Sequence, residues 1–278
     1  MEITIPLPGG LSLMISEGPV GSGAYATRQM QHGFLLFDRG VDLSEEAVGF
    51  GLPVVKRGLR ALFPGRVTLT SVQTDSLWRV QARFTFNLEE RLSRGSSPGF
   101  RNRPIYAIKN LLAAVIRLSR PLRRLLTAAS SSLRSSLGIG TVYEEAPFGG
   151  ALEVQYTIEC ATGVIQVRSD ASELVGAGVT EVILMNEQGG HSFDSYRDTD
   201  GTSLDGARIG AWDRVTAREA SMISRQRNVI FSVAGGEGAR LYRGREVVGS
   251  RLAWSGFGYS FTPDIRELAY VIRIARVP

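Results

Sequence analysis

Apolar and polar residues alternate with a period of two along most of this chain. Trp78, Val80, Ala82, Phe84 and Phe86 stand against Arg79, Gln81, Arg83, Thr85 and Asn87. Successive side chains of a strand point to opposite faces. The pattern therefore predicts one buried face and one that is wet or lines a groove. Leu152, Val154, Tyr156, Ile158 and Cys160 repeat it against Glu153, Gln155, Thr157 and Glu159, and Leu268, Tyr270, Ile272 and Ile274 repeat it near the end. On this reading Cys160 is an inward-facing small hydrophobe. Two hairpins are predicted: 67–73 with 77–88 across Thr74-Asp75-Ser76, and 152–160 with 164–167 across Ala161-Thr162-Gly163. Further strands are expected at 11–15, 34–37, 182–185, near Trp212, at 229–233 and 240–243, and in one long run at 247–261. Gly256 and Gly258 inside that run mark a bulge or a close approach.

One-sided alternation belongs to antiparallel sheets. About ten to thirteen such strands predict a mainly β fold, an antiparallel two-sheet β-sandwich or barrel-like sandwich.

One stretch breaks the period. Within 91–143, Ile105, Ile108, Leu112 and Val115 recur at helical spacing, widened by Leu111 and Leu118. Asn102 suits the N-cap region and Pro104 the first helical position. Pro121 ends or kinks the helix, Leu122, Leu125 and Leu126 continue it, and Gly138 can stop it. The expectation is a helical pair at about 103–137, inserted into a single domain, 1–278, between an N-terminal β half (1–90) and a C-terminal β half (144–278).

Charge makes that insert more distinctive. It holds 10 Arg and Lys residues and no Asp or Glu, whereas 1–90 holds 8 basic and 9 acidic residues and 144–278 holds 14 and 18. Arg117, Arg120, Arg123 and Arg124 are the candidate anion-binding residues, facing an anionic membrane surface or a partner protein. Nucleic acid is the weaker partner, because Tyr106 is the insert's one good aromatic for stacking bases.

Several classes fall away. Cys160 is the one cysteine, so no intrachain disulfide forms and a structural zinc site is nearly excluded. The N-terminus has no secretory pattern, and no run nears the roughly 18 apolar residues of a membrane span. These features lead to the expectation of a cytoplasmic protein, membrane-peripheral if the basic insert meets lipid. The glycines at 21–26 fit a loose dinucleotide fingerprint, but the segment after them reads as a strand, where the fingerprint needs a helix. There is no phosphate-cradling P-loop and no G-x-S-x-G elbow.

Candidate chemistry lies in the polar stretch 186–205. Glu187, His191, Asp194 and Tyr196 can supply general acid and base groups at the end of a strand. Glu187, His191 and Asp194 also suit a divalent transition metal. Asp198, Asp200 and Asp205 around Gly201 offer oxygen ligands for a cation such as calcium, without the EF-hand spacing. The bland alternative is a surface loop rich in turn formers. Asp42, Glu45 and Glu46, before the glycine-rich 49–51, can cap one helical turn, line a cleft or simply face solvent. Trp212, Trp254 and Tyr259 fall in predicted strands near Glu187, Asp194 and Asp213. Aromatic faces hold sugars and paired carboxylates cleave them. The expected function is therefore an enzyme with a polar cleft on a β-sandwich, using acid/base chemistry on a carbohydrate or related polar substrate. The alternative is a non-catalytic binding or membrane-peripheral protein acting through the basic insert.

Overall fold

The period-two alternation is realised as nineteen strands among the residues described by the computed structural model, namely 1–18, 31–45, 47–94, 139–146, 148–248 and 252–277. Strands β1 (Glu2–Leu7), β2 (Leu11–Ser16), β3 (Leu35–Asp38) and β4 (Val41–Asp42) form a small meander. Then come β5 (Gly49–Arg57), β6 (Arg60–Gln73), β7 (Leu77–Arg94), β8 (Ile139–Glu145), β9 (Ala151–Glu159) and β10 (Val164–Asp170). The rest are β11 (Glu181–Gly189), β12 (Ser195–Asp198), β13 (Ser203–Asp205), β14 (Asp213–Val215), β15 (Glu219–Ser224), β16 (Val229–Gly235), β17 (Arg240–Val248), β18 (Leu252–Phe261) and β19 (Glu267–Arg276).

One long ladder runs in the order β13-β12-β15-β16-β19-β10-β9-β7-β6-β5-β11-β18-β17-β14, and its pairings are antiparallel. Seven strands separate β16 from β18 along it, yet Phe231 of β16 and Phe257 of β18 meet edge to face at 5.9 Å. Phe231 also packs on Phe50 of β5 at 5.1 Å, and Tyr259 of β18 lies 4.4 Å from Tyr270 of β19. The ladder therefore folds back on itself, and its two limbs enclose one aromatic core, as in a sandwich.

β6 carries an irregularity of the ladder. Arg60, Ala61 and Leu62 pair with β5, Leu62 to Gln73 pair with β7, and the β7 register slips on both sides of Pro64. Proline cannot donate to a ladder, and a bulge bends the strand that carries it. Asn87 closes the defect by accepting the Gly65 amide at 2.9 Å.

The small meander is tied to the ladder by polar contacts. Arg276 of β19 grips Asp38 of β3 and the Gly9 carbonyl. Buried Gln188 of β11 accepts the Leu36 amide at 3.2 Å and the Ser44 hydroxyl at 2.8 Å.

Several expectations change. The stretch 186–205 is not one loop: β11 continues to Gly189, and β12 and β13 form a hairpin. Asn186 and Gln188 can extend the strand inward because the core satisfies them. Tyr270 donates to Asn186 Oδ1 at 2.9 Å, and so does the Gly51 amide at 3.1 Å. The run 247–261 is not one strand either, since β17 reaches Val248 and β18 starts at Leu252, paired as a hairpin. Cys160 lies just past β9 and is only partly buried. Residues 42–45 make a turn, not a helical one, in which Asp42 accepts the Ser44 amide at 2.7 Å.

The chain divides into two compact units, Met1–Glu89 with Glu145–Pro278, and Glu90–Glu144. The helical pair expected at 103–137, with Arg117, Arg120, Arg123 and Arg124, lies outside the described residues. Among those described, helical structure is limited to the short 3-10 turns Pro8–Gly10, Ser172–Leu174 and Gly206–Ile209. None of the described helices is long and apolar enough to cross a membrane.

Candidate functional site

Three neighbouring strands, β11, β18 and β17, set the site by register. Glu187 pairs with Gly256, and Gly189 with Trp254. Across the next ladder Gly256 pairs with Gly244, and Trp254 with Glu246. Residues that pair, or lie two apart, share a face. Glu187, Trp254, Gly256, Gly244 and Glu246 are therefore on one side of the sheet, away from Phe257 and Tyr259.

Glycine is required on that face. A Cβ on Gly256 would stand 2.1 Å from the Asn186 carbonyl oxygen, so a side chain there would break the strand contact. A Cβ on Gly244 would meet the Trp254 ring at 2.6 Å, and one on Gly258 would meet Trp212 at 3.0 Å. The glycines thus form a floor on which the two indoles lie, stacked 4.8 Å apart at 21°. Trp212 reaches this position with φ at +59°, a backbone region that bulky residues avoid.

Beside this stack Glu187 is 4% exposed. Burial pushes its carboxyl up to about 8, against the pull of a hydrogen bond from the Val48 amide and with a further push from Glu246. A carboxylic acid that keeps its proton near neutral pH can donate it.

A second carboxylate closes the end of the sheet. Glu45, with φ at +51°, lies over Gly189. Its Oε2 is 2.8 Å from His191 Nδ1 and accepts the His191 amide at 3.2 Å, while Oε1 accepts the Ser192 amide at 3.0 Å and hydroxyl at 2.8 Å. Arg245 donates to the Gly190 carbonyl at 2.9 Å. Burial lowers its pKa, and the fields of Asp194 and Glu45 oppose that shift. The turn after β11 is therefore held by a carboxylate from one side and a guanidinium from the other.

Glu187, His191, Asp194, Trp212 and Trp254 gather around the end of β11. Tyr196 does not join them. It is fully buried, donates to Asp198 at 2.7 Å, and carries Arg243 over its ring at 4.5 Å. Burial first, and then that bond to Asp198, raise its phenol. Tyr259 is also a core residue, its ring tilted against Tyr270 at 4.4 Å.

The three aspartates of the supposed cation loop are engaged elsewhere. Asp198 accepts the Asp200 and Thr202 amides, Asp200 accepts the Thr216 hydroxyl, and Asp205 pairs with Arg225 at 2.7 Å. Among the described residues no group of three or more His, Cys, Asp or Glu is placed to hold a metal ion.

Glu246 and Arg245 escaped the sequence reading. They occupy a strand rich in charge, with no local mark separating them from solvated neighbours. Only the pairing of β17 with β18 brings them here.

No protein-family model matches the chain, and no curated protein matches it. Among solved structures the fold is similar to part of an α-N-acetylgalactosaminidase from Bifidobacterium bifidum in complex with GalNAc. The TM-score is 0.52 at 12% identity, over 99% of this chain and 36% of that one. The same enzyme in complex with Gal-NHAc-DNJ gives 0.51 at 12% identity, with the same coverage. The chain therefore spans 36% of the length of those structures, and the likeness is one of fold.

Proposed function

We propose that this protein acts on a carbohydrate by acid/base chemistry, with Glu187 as the general acid, Glu246 as its carboxylate partner, and Trp254 with Trp212 as the aromatic wall. One observation carries the reading: a buried carboxyl group raised to about 8 shares a sheet face with a second carboxylate and a stacked indole pair. In glycoside cleavage one carboxylic acid protonates the leaving oxygen while the other, ionised, activates water or attacks the sugar. Glu187 is desolvated whereas Glu246 is partly exposed, which suits Glu187 to the role of the acid. The fold shared with part of an α-N-acetylgalactosaminidase agrees with this reading.

The test is turnover on a panel of aryl glycosides and natural oligosaccharides. Glu187→Gln is expected to lower kcat by about 10²–10⁴-fold, and Trp254→Ala to raise KM more than it lowers kcat. Activity of the parent should fall as pH rises through about 8, where Glu187 gives up its proton. Full activity of Glu187→Gln, or no turnover on any member of the panel, overturns the assignment.

A further inference from the structure

The outward faces of β7, β9, β10, β19 and β16 carry a feature separate from the Glu187 cluster. They form a groove of about 560 Å³ whose polar lining includes Arg79, Gln155, Thr157, Gln166, Arg168 and Arg273. A narrower extension of about 260 Å³ reaches Thr70 and Ser71 of β6 and shares Arg79, Gln155 and Thr157 with it. Register builds the floor. Arg79 pairs with Thr157, Thr157 with Gln166, and Gln155 with Arg168. These alternate with Val80, Tyr156 and Val167, which are buried in the core.

The charge of the groove is one-sided. Three guanidinium groups line it, and no Asp or Glu does. Among the described residues Arg79 and Arg168 belong to no ion pair, and Arg273 reaches Glu219 only at 3.7 Å. On the same outward face, outside the groove lining, Glu153, Asp170 and Glu267 form the row beyond Arg168, and Glu159 lies at the other end, in the row of Arg273. Arg79 and Arg168, in no ion pair, and Arg273, only loosely held by Glu219, stand beside amides and hydroxyls and fit carboxylate or sulfate groups carried on a hydroxyl-rich scaffold. The polar floor offers no exposed aromatic ring for stacking a base. Six strands at about 4.8 Å spacing give a span of roughly 24 Å, which is longer than one sugar ring.

We propose that this groove binds an acidic oligosaccharide, with its anionic groups held by Arg79, Arg168 and Arg273. The site is independent of the acid/base assignment for Glu187.

Calorimetric titration of the full chain tests it with trigalacturonic acid, its fully methyl-esterified neutral form, a sulfated galactose trisaccharide, and sodium sulfate. The expected result is binding of at least one acidic trisaccharide, about tenfold or more tighter than the neutral ester. An Arg79→Gln/Arg168→Gln double variant should lose about tenfold or more of that affinity while its unfolding curve overlays the parent's. Glu187→Gln should bind as the parent does, which separates a failure of this site from a failure of the catalytic assignment. Four results overturn the proposal: no binding of either acidic trisaccharide, equal affinity for the neutral ester, unchanged affinity in the double variant, or sodium sulfate binding as tightly as the acidic sugars.

Discussion

Glu45 and His191 are separated by 146 positions in the chain, yet Oε2 of the first lies 2.8 Å from Nδ1 of the second. The same carboxylate also holds two backbone amides and a hydroxyl. Glu45→Ala leaves those donors without a protein acceptor. The expected loss is about 1–3 kcal/mol of stability, with faster hydrogen exchange confined to the His191 and Ser192 amides. Unchanged exchange at those amides means the turn holds itself.

The Glu187 carboxyl makes stability depend on pH in a defined direction. In the unfolded chain it titrates near 4.5, and in the folded chain at about 8. Between those values the folded state keeps a proton that the unfolded state has lost. Stability therefore falls as pH rises through that window and levels off above it. Glu187→Gln removes the titration. Relative to that variant, the parent's stability should fall by on the order of a few kcal/mol from about pH 5 to about pH 8, read as a falling Tm. Parallel Tm curves would falsify the raised pKa.

Arg276 joins two sheets through Asp38, which is 7% exposed, and through the Gly9 and Arg227 carbonyls. The guanidinium holds the Asp38 carboxyl below its ordinary 3.8. With a depressed folded value, its stabilisation is present above 3.8 and is lost as pH falls through the folded value. Arg276→Ala should cost about 2–4 kcal/mol in urea unfolding at neutral pH, with a smaller difference from the parent in acid. A constant difference down to about pH 2 assigns the loss to packing and the Gly9 and Arg227 carbonyl bonds, with no share for Asp38.

Gly51 has φ at +77°, and a Cβ there would stand 2.4 Å from the hydroxyl of buried Tyr156, which donates to the Gly51 carbonyl at 3.1 Å. Gly51→Ala must displace the ring or the strand, and the expected cost is about 3 kcal/mol or more. Tyr156→Phe removes only the hydroxyl and should cost about 1 kcal/mol. Chemical denaturation of the two variants separates steric from hydrogen-bond effects. Similar losses in both would show that the backbone yields easily at Gly51.

Which faces are buried was legible at the level of single strands. Val80, Ala82, Phe84 and Phe86 are buried, and so are Leu152, Val154, Tyr156 and Ile158. Side-chain alternation is a local property of an extended backbone, and an inward apolar row announces itself whatever its partner. The outward row of β7 was foreseen as wet or groove-lining, and Arg79 does line a groove. The tight packing at Gly256 and Gly258 was also visible, as glycines inside an apolar run.

Partnership across distance was not legible. Asn186 and Gln188 read as loop residues until Tyr270, Leu36 and Ser44 supply their hydrogen bonds. Glu246 gains its meaning only beside Glu187, and Glu45 only beside His191. Trp212 and Trp254 stand near those carboxylates, whereas Tyr259 and Tyr196 turn into the core. Local alternation is enough to specify a mainly antiparallel β protein and the inward face of its clearest strands, because backbone geometry imposes a period of two residue by residue. Which strands neighbour each other, where the β6–β7 register slips at Pro64, and which carboxylates lose their water are settled only in the assembled fold. Those depend on pairings between distant segments, and desolvation is a property of the assembled core that no local pattern records.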